Sequence, residues 1–208
     1  MKRFFILFIA TSTAAPLLVG QSAAQEAQHD KAFLLNYCQQ TYDDLENAVA
    51  GLSEEQLKFK SAPDRWSISQ CLEHIILTEK MLLGFNQETL SQAPNPERRN
   101  EVKLTDEDII NGITDRSFKA QASKELTPAE AGKYTDAAVA LAELRSQRTV
   151  LIDYINSLSE EDMRNRVTDS PFGPVDGYHS LLYIPGHTAR HTLQIAEVKA
   201  DAHFPKDE

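Results

Sequence analysis

Residues 184–198 read IPGHTARHTLQIAEV, and they set His187 and His191 four positions apart. On a helix of about 3.6 residues per turn, that spacing puts the two rings about 40° apart around the axis and about 6 Å apart along it, so both imidazoles reach one point. A third imidazole, His74, stands in residues 66–80, WSISQCLEHIILTEK, on a separate amphipathic segment. Three neutral imidazoles with an open fourth position are a well-established way to hold a catalytic divalent metal. The H-E-x-x-H pattern of zinc proteases is absent, because Thr188 stands where the general-base glutamate would be.

Outward from these two stretches, the chain reads as helices joined by polar loops. Phe33, Leu34, Tyr37, Leu45, Val49 and Leu52 form a first apolar stripe. Ser53-Glu54-Glu55-Gln56 reads as a short capped turn. Ser67 reads as the N-cap of a second helix that Pro94 and Pro96 end, with Trp66 expected as a core anchor at its entrance. Thr105 to Thr114 suggests a short helix, and Arg116 to Tyr134, with Pro128 and Gly132, reads as a long connection. A third long helix is predicted from Asp136 to about Leu158 and a last one from about Tyr178 to Ala200, with SPFGPVDG (170–177) between them as a loop. LSEEQL and LSEEDM mark two similar halves, each a long helix, a short turn, a loop and a long helix carrying histidine. No alternating β-branched pattern occurs, so the expected fold is all-α, a four-helix bundle with a long crossover connection.

Lys2 and Arg3, the apolar stretch from Phe4 and the small residues Ser22-Ala23-Ala24 follow the order of a secretory signal. Residues 1–24 are therefore expected to be removed, leaving a single helical domain over 25–208 that is exported, periplasmic or secreted. The run is too short and too interrupted by Pro16 for a lasting membrane anchor, which needs about 20 apolar residues. Without Lys2 and Arg3 the formal charge of −10 becomes −12, which argues against nucleic acid or an anionic membrane as partner. Cys38 and Cys71 are the only cysteines, too few for a disulfide scaffold. Cys38 lies near 20 Å from the end of its helix and Cys71 near the start of the next, so two buried thiols are expected rather than a bridge.

The patterns W-S-I-x-x-x-L-x-H-I, Trp66 to Ile75, and H-x-x-R-H-x-x-Q-I, His187 to Ile195, resemble the DinB/YfiT-like superfamily of metalloenzymes. The resemblance spans essentially the whole chain after residue 24. It implies a four-helix bundle with a long crossover and a divalent metal, zinc or nickel, held by His74, His187 and His191. Relatives include thiol S-transferases and mycothiol-dependent isomerases. Pro185-Gly186 departs from the pattern, since a proline here is expected to kink the last helix just before His187.

Helical spacing adds Tyr183, Gln194 and Gln70 as residues able to orient an imidazole or a bound water. Glu73 and Glu79 read as a solvated face, Arg190 as the partner of an acidic neighbour, and His29 and His203 as terminal residues in solvent. His179 is a minor candidate ligand at the start of the last helix, and Cys71, three residues before His74, a minor fourth ligand. The expected function is a metal-dependent enzyme that activates water or a thiol, of hydrolase or thiol-transferase type, acting on a small molecule. A non-catalytic metal- or partner-binding bundle is the alternative, and a homodimer is left open. Because an ordinary imidazole titrates near pH 6.5, metal affinity is expected to fall below about pH 6.

Overall fold

Each of the four long helices starts on a side-chain cap. In α1 (Lys31–Val49) Asp30 accepts from the Phe33 N–H; in α3 (Ile68–Leu90) Ser67 and Gln70 form a reciprocal capping box. Asp136 caps α5 (Ala137–Ser157) and Asp176 caps α7 (Gly177–Lys199). Short helices α2 (Glu54–Lys58) and α6 (Glu160–Arg164), capped by Ser53 and Ser159, follow α1 and α5, as the repeated LSEE signature suggests. The ninefold-residue helix α4 (Asp106–Thr114) is capped by Thr105 within the long connection. The computed structural model describes residues 28–119, 121–170 and 173–206; the signal segment expected at 1–24 lies outside the described residues.

The helices pack as a ring in the order α1, α7, α3, α5, so helices next to each other in sequence within each half lie on a diagonal. Directions follow from bonds between helices. Tyr178 reaches Asp30 and Lys199 reaches Ala48, so α7 runs parallel to α1. Arg148 meets Glu79 and the Tyr154 hydroxyl donates to the Asn86 carbonyl, so α5 runs parallel to α3. Asn86 also donates to the Ser180 carbonyl, which sets α7 antiparallel to α3. Two consecutive long helices that point the same way force the chain to return the length of the first, about 35 Å for the 23 residues of α3, before α5 can begin. That requirement is the physical reason for the long crossover.

The core divides into two apolar clusters along the bundle axis. One holds Tyr42, Leu45, Ile68, Leu72, Ile75, Leu141 and Leu144; the other holds Leu34, Leu83, Leu151, Ile155, Tyr178 and Leu181. Between them sits a polar layer with one residue from each long helix. Arg148 forks onto both oxygens of Glu79 (3.2 and 2.7 Å) and also donates to Thr41 (3.1 Å) and Thr188 (3.0 Å). Glu79 is therefore not on a solvated face: it is 2% exposed. Burial raises its pKa while Arg148 opposes the rise. The sequence pattern hid this because a lone carboxylate at a core position looks like a surface residue until its partner, 69 positions away, is known.

One further expectation needs correction. SPFGPVDG is not only a loop: β1 (Val167–Ser170) and β2 (Gly173–Asp176) pair antiparallel, with Val167 opposite Asp176 and Ser170 opposite Gly173. Four-residue strands reading VTDS and GPVD are too short and too polar to show alternation. Helix α7 spans Gly177–Lys199 with Pro185 inside it and buried. Cys38 and Cys71 are free, buried in different apolar clusters, as the axial spacing required.

Candidate metal centre

His74 projects from the second turn of α3 and His187 and His191 from consecutive turns of α7, the helix that packs against it. Their ring nitrogens converge. His187 Nε2 lies 3.2 Å from His74 Nε2 and 3.1 Å from His191 Nε2, and one nitrogen from each of the three falls within 4.8 Å of the others.

The far side of two rings fixes their tautomers. His74 Nδ1 is 2.7 Å from the Leu126 carbonyl and His191 Nδ1 is 2.9 Å from Gln194 Oε1. Both partners only accept, so each Nδ1 carries the proton and each Nε2 carries a lone pair. Two lone pairs thus point at His187 Nε2, and with the His187 proton on its Nδ1 all three Nε2 atoms offer a lone pair to one point. Burial lowers the pKa of His74 against the opposing Leu126 bond, and lowers His191 well below the ordinary value, with the neighbouring imidazoles adding to the effect. His187 is pushed down to about 3 by burial and then by His74 and Arg190. At neutral pH the rings are neutral, so each can offer a lone pair to a cation.

The surroundings hold this set rather than the other candidates. Trp66 is not a plain core anchor: its ring lies 4.7 Å from that of His74 and stacks at 23° on His191. Gln70 does not face His74. Its oxygen caps Ser67 and its amide donates to the Ala129 and Glu130 carbonyls. Glu73 accepts from the Ala129 and Lys133 N–H groups, and Ser69 exchanges bonds with Tyr134. The first turn of α3 therefore anchors the crossover, and the crossover in turn delivers the Leu126 carbonyl to His74. Gly132 passes so close to Ser69, at φ +71°, that a Cβ there would sit 2.5 Å from its hydroxyl oxygen. Leu126 was invisible beforehand, since a backbone carbonyl leaves no letter in the sequence.

Above the histidines opens a cavity of about 750 Å³, walled by α4, the crossover and α7. Tyr183 lines it and also a second cavity of about 180 Å³ behind it, and burial raises the pKa of its hydroxyl. Arg190 forms no salt bridge among the described residues; its guanidinium donates to the carbonyls of Ile113, Asp115 and Phe118. His179 is remote from the trio, bonded at 2.8 Å to Asp106. Cys71 is fully buried in the apolar core and does not join the cluster. His29 is not free in solvent but sits 2.7 Å from Glu107 and stacks on Phe33, whereas His203 is exposed.

Similarity to known proteins agrees with this architecture. A Bacillus subtilis (strain 168) protein, the uncharacterized protein YuaE, is 29% identical over 153 residues, which cover 74% of this chain and 89% of that one. Among solved structures, YfiT from Bacillus subtilis superposes with a TM-score of 0.57 at 15% identity, over 84% of this chain and 90% of its own. It is described as a probable metal-dependent hydrolase with an unusual four-helix bundle topology. The diagonal pairing and parallel α3 and α5 found here are a bundle of unusual topology too. Residues 37–195, a span that includes all three converging histidines, match the DinB superfamily profile, and the chain belongs to that superfamily.

Proposed function

We propose that this protein is a divalent-metal-dependent enzyme of hydrolase type, with His74, His187 and His191 as the metal ligands and the cavity above them as the substrate site. One observation carries the reading: three neutral imidazoles aim lone-pair nitrogens at a common point, with N to N separations of 3.1 and 3.2 Å. Ligands at 2.0 to 2.1 Å from a tetrahedral zinc are about 3.3 Å apart, which matches the two separations from His187, while the third, His74 to His191, lies within 4.8 Å. Imidazole donors suit zinc or nickel equally. A metal bound there supplies Lewis acidity and lowers the pKa of a water or thiol in its open positions. The protein's own part is to fix the ring orientations through Leu126 and Gln194, to stack Trp66 on His191 and set it at a tilt against His74, and to shield the site beneath α4 and the crossover.

Water is preferred to a thiol as nucleophile, because the N-terminal signal-like segment supports export, away from the cytosolic thiol cosubstrates that transferases of the resembled family use. The assay is metal analysis with a hydrolase screen on wild type and on His74→Ala, His187→Ala and His191→Ala. About one divalent ion per wild-type chain, most of it lost in each variant, and turnover that chelation removes and metal restores, is the expected result. Equal metal content in wild type and His191→Ala overturns the three-histidine site. Metal without turnover in any ester or amide screen favours the non-catalytic bundle.

A further inference from the structure

The wall of the large cavity carries a charge opposite to that of the chain. The protein has a formal charge of −10, yet Arg65, Arg116, Lys119 and Arg190 line this cavity against only Asp64 and Asp108. Of the two acids, Asp108 is engaged locally, accepting from the Thr105 N–H at 2.9 Å and its hydroxyl at 2.8 Å as the capping box of α4. Of the four cations, Arg116 is neutralised by a two-pronged pair with Glu197 at 3.0 and 2.9 Å.

Arg190 differs. The carbonyls of Ile113, Asp115 and Phe118 accept three of its protons but bring no negative charge, and no carboxylate among the described residues forms a salt bridge with it. Its other two guanidinium protons have no acceptor among the described residues. Arg65 and Lys119, at the rim, likewise have no salt-bridge partner among the described residues, and both are exposed.

Much of the remaining wall is apolar, beside the polar Thr78, Gln121, Ser123 and Gln194. Trp66, Ile109, Ile113 and Leu126 line it, and Phe118 stands at the rim 66% exposed, an aromatic ring the fold itself does not bury. A volume of about 750 Å³ falls within the range of small-molecule sites. A cationic, low-dielectric cleft on an acidic protein concentrates anions that the rest of the surface repels.

We propose that the cavity takes a small amphiphilic carboxylate, its acid group held in the field of Arg190, Lys119 and Arg65 and its apolar or aromatic body laid against Trp66, Ile113 and Phe118. The inference rests on the reading of this cavity as the substrate site, and its test separates the two. Trp66 is the only tryptophan, so its fluorescence reports occupancy. The probes are 4-phenylbutyrate, 4-phenylbutan-1-ol and 4-phenylbutylamine, titrated at low and high salt into the protein as purified and after chelation.

At low salt the carboxylate is expected to bind about 10-fold more tightly than the alcohol, with the amine weakest, and added salt to compress the order. The order persists after chelation, because the cations and not a metal create it. Arg190→Gln brings carboxylate and alcohol to within about threefold of each other. Because Arg190 also ties α4 to the crossover, the double variant Arg65→Gln/Lys119→Gln, on exposed side chains, tests the same field without touching that tie and should narrow the ratio by a smaller factor. Equal binding of carboxylate and alcohol, amine preference, or no binding of any probe overturns the proposal. A carboxylate preference that vanishes on chelation also overturns it and leaves the metal site standing; a preference that survives in protein lacking any metal site supports it while the metal reading fails.

Discussion

Two buried clusters in this molecule contain histidine, and they are built on opposite principles. In one, Arg164 forks onto Asp106 at 2.8 and 2.8 Å, reaches Asp176 at 3.0 Å, and lies 3.8 Å over the Tyr178 ring, while His179 adds a 2.8 Å contact to Asp106. Burial alone would raise the Asp106 pKa, but the bonds from His179 and Arg164 outweigh it and hold the carboxyl well below the usual range. Opposite charges close on one another, and the two atoms left without a hydrogen-bond partner, Arg164 Nε and His179 Nδ1, are themselves buried. In the other, three like groups converge, no counter-charge is present within the cluster, and a cavity opens above. Both are buried and both are polar. What separates a clamp from a site is whether the converging groups are complementary or alike.

Breaking the clamp should give the largest effect on stability. Arg164→Met strands Asp106 and Asp176 as buried carboxylates, and removing one partner of such a cluster costs about 3–5 kcal/mol. Urea denaturation is expected to show that loss, with metal content per folded chain unchanged. The mirror experiment is His187→Ala, which should remove metal while leaving metal-free stability near or above wild type. If Arg164→Met lost metal and kept its stability, the distinction between the two clusters would be wrong.

The waist layer sharpens the same point. Arg148→Met alone leaves Glu79 charged, 2% exposed and unpaired, and should also cost about 3–5 kcal/mol. Arg148→Met/Glu79→Leu removes both charges from between two apolar clusters and should recover most of the loss, because a well-packed apolar substitute often matches a buried pair. Chemical denaturation of the single and double variants decides it: a double variant as unstable as the single would mean that the layer contributes packing or hydrogen bonds to Thr41 and Thr188 that an apolar pair cannot replace.

Acid separates the clusters as well. His187 has a folded pKa of about 3 and His74 and His191 are also lowered, whereas unfolded imidazoles titrate near 6.5. Between those values the unfolded chain binds more protons, so stability rises with pH there. The metal-free protein should hold its full stability above about pH 6.5 and lose it progressively as the pH falls below that value. Asp106, with its pKa depressed, contributes stability above its unfolded value near 3.9 and loses it only as the pH falls further. The two losses therefore fall in different pH windows. His187→Gln should flatten the upper one, and an unchanged slope between pH 6.5 and 4.5 in that variant would exclude the trio as its cause. The depressed values also move the expected decline in metal affinity below the pH 6 inferred from ordinary imidazoles.

The four long helices and the pairing of His187 with His191 were legible because each rests on local spacing, as do the Ser67 cap and the two LSEE turns, whereas the place of His74 beside His187, 113 residues away, was implied by the family resemblance. What the sequence concealed is what depends on distant partners. Glu79 meets Arg148, 69 residues away, and Leu126 meets His74, 52 residues away. Diagonal pairing was hidden for the same reason, since helix length and periodicity do not encode which neighbour a stripe faces.

The two glutamines chosen by helical spacing make the finest comparison. Gln194 lies 2.9 Å from His191 Nδ1, while Gln70 spends its oxygen on the Ser67 cap and its amide on the crossover carbonyls of Ala129 and Glu130. Gln194→Ala frees the His191 ring to rotate or change tautomer, and losing such a partner typically weakens metal binding 10–100-fold, with about the same folded stability. Gln70→Ala removes half of a capping box and two ties to the crossover, so about 1 kcal/mol of stability is at stake. Its effect on metal is indirect, through the crossover that carries Leu126, and should stay within about threefold. Metal titration with a competing chelator, run beside thermal unfolding, reads both quantities from one preparation. If Gln70→Ala weakened metal binding as much as Gln194→Ala, the Leu126 carbonyl would be as dependent on the α3 cap as His191 is on its own neighbour, and the crossover would belong to the metal centre rather than merely cover it.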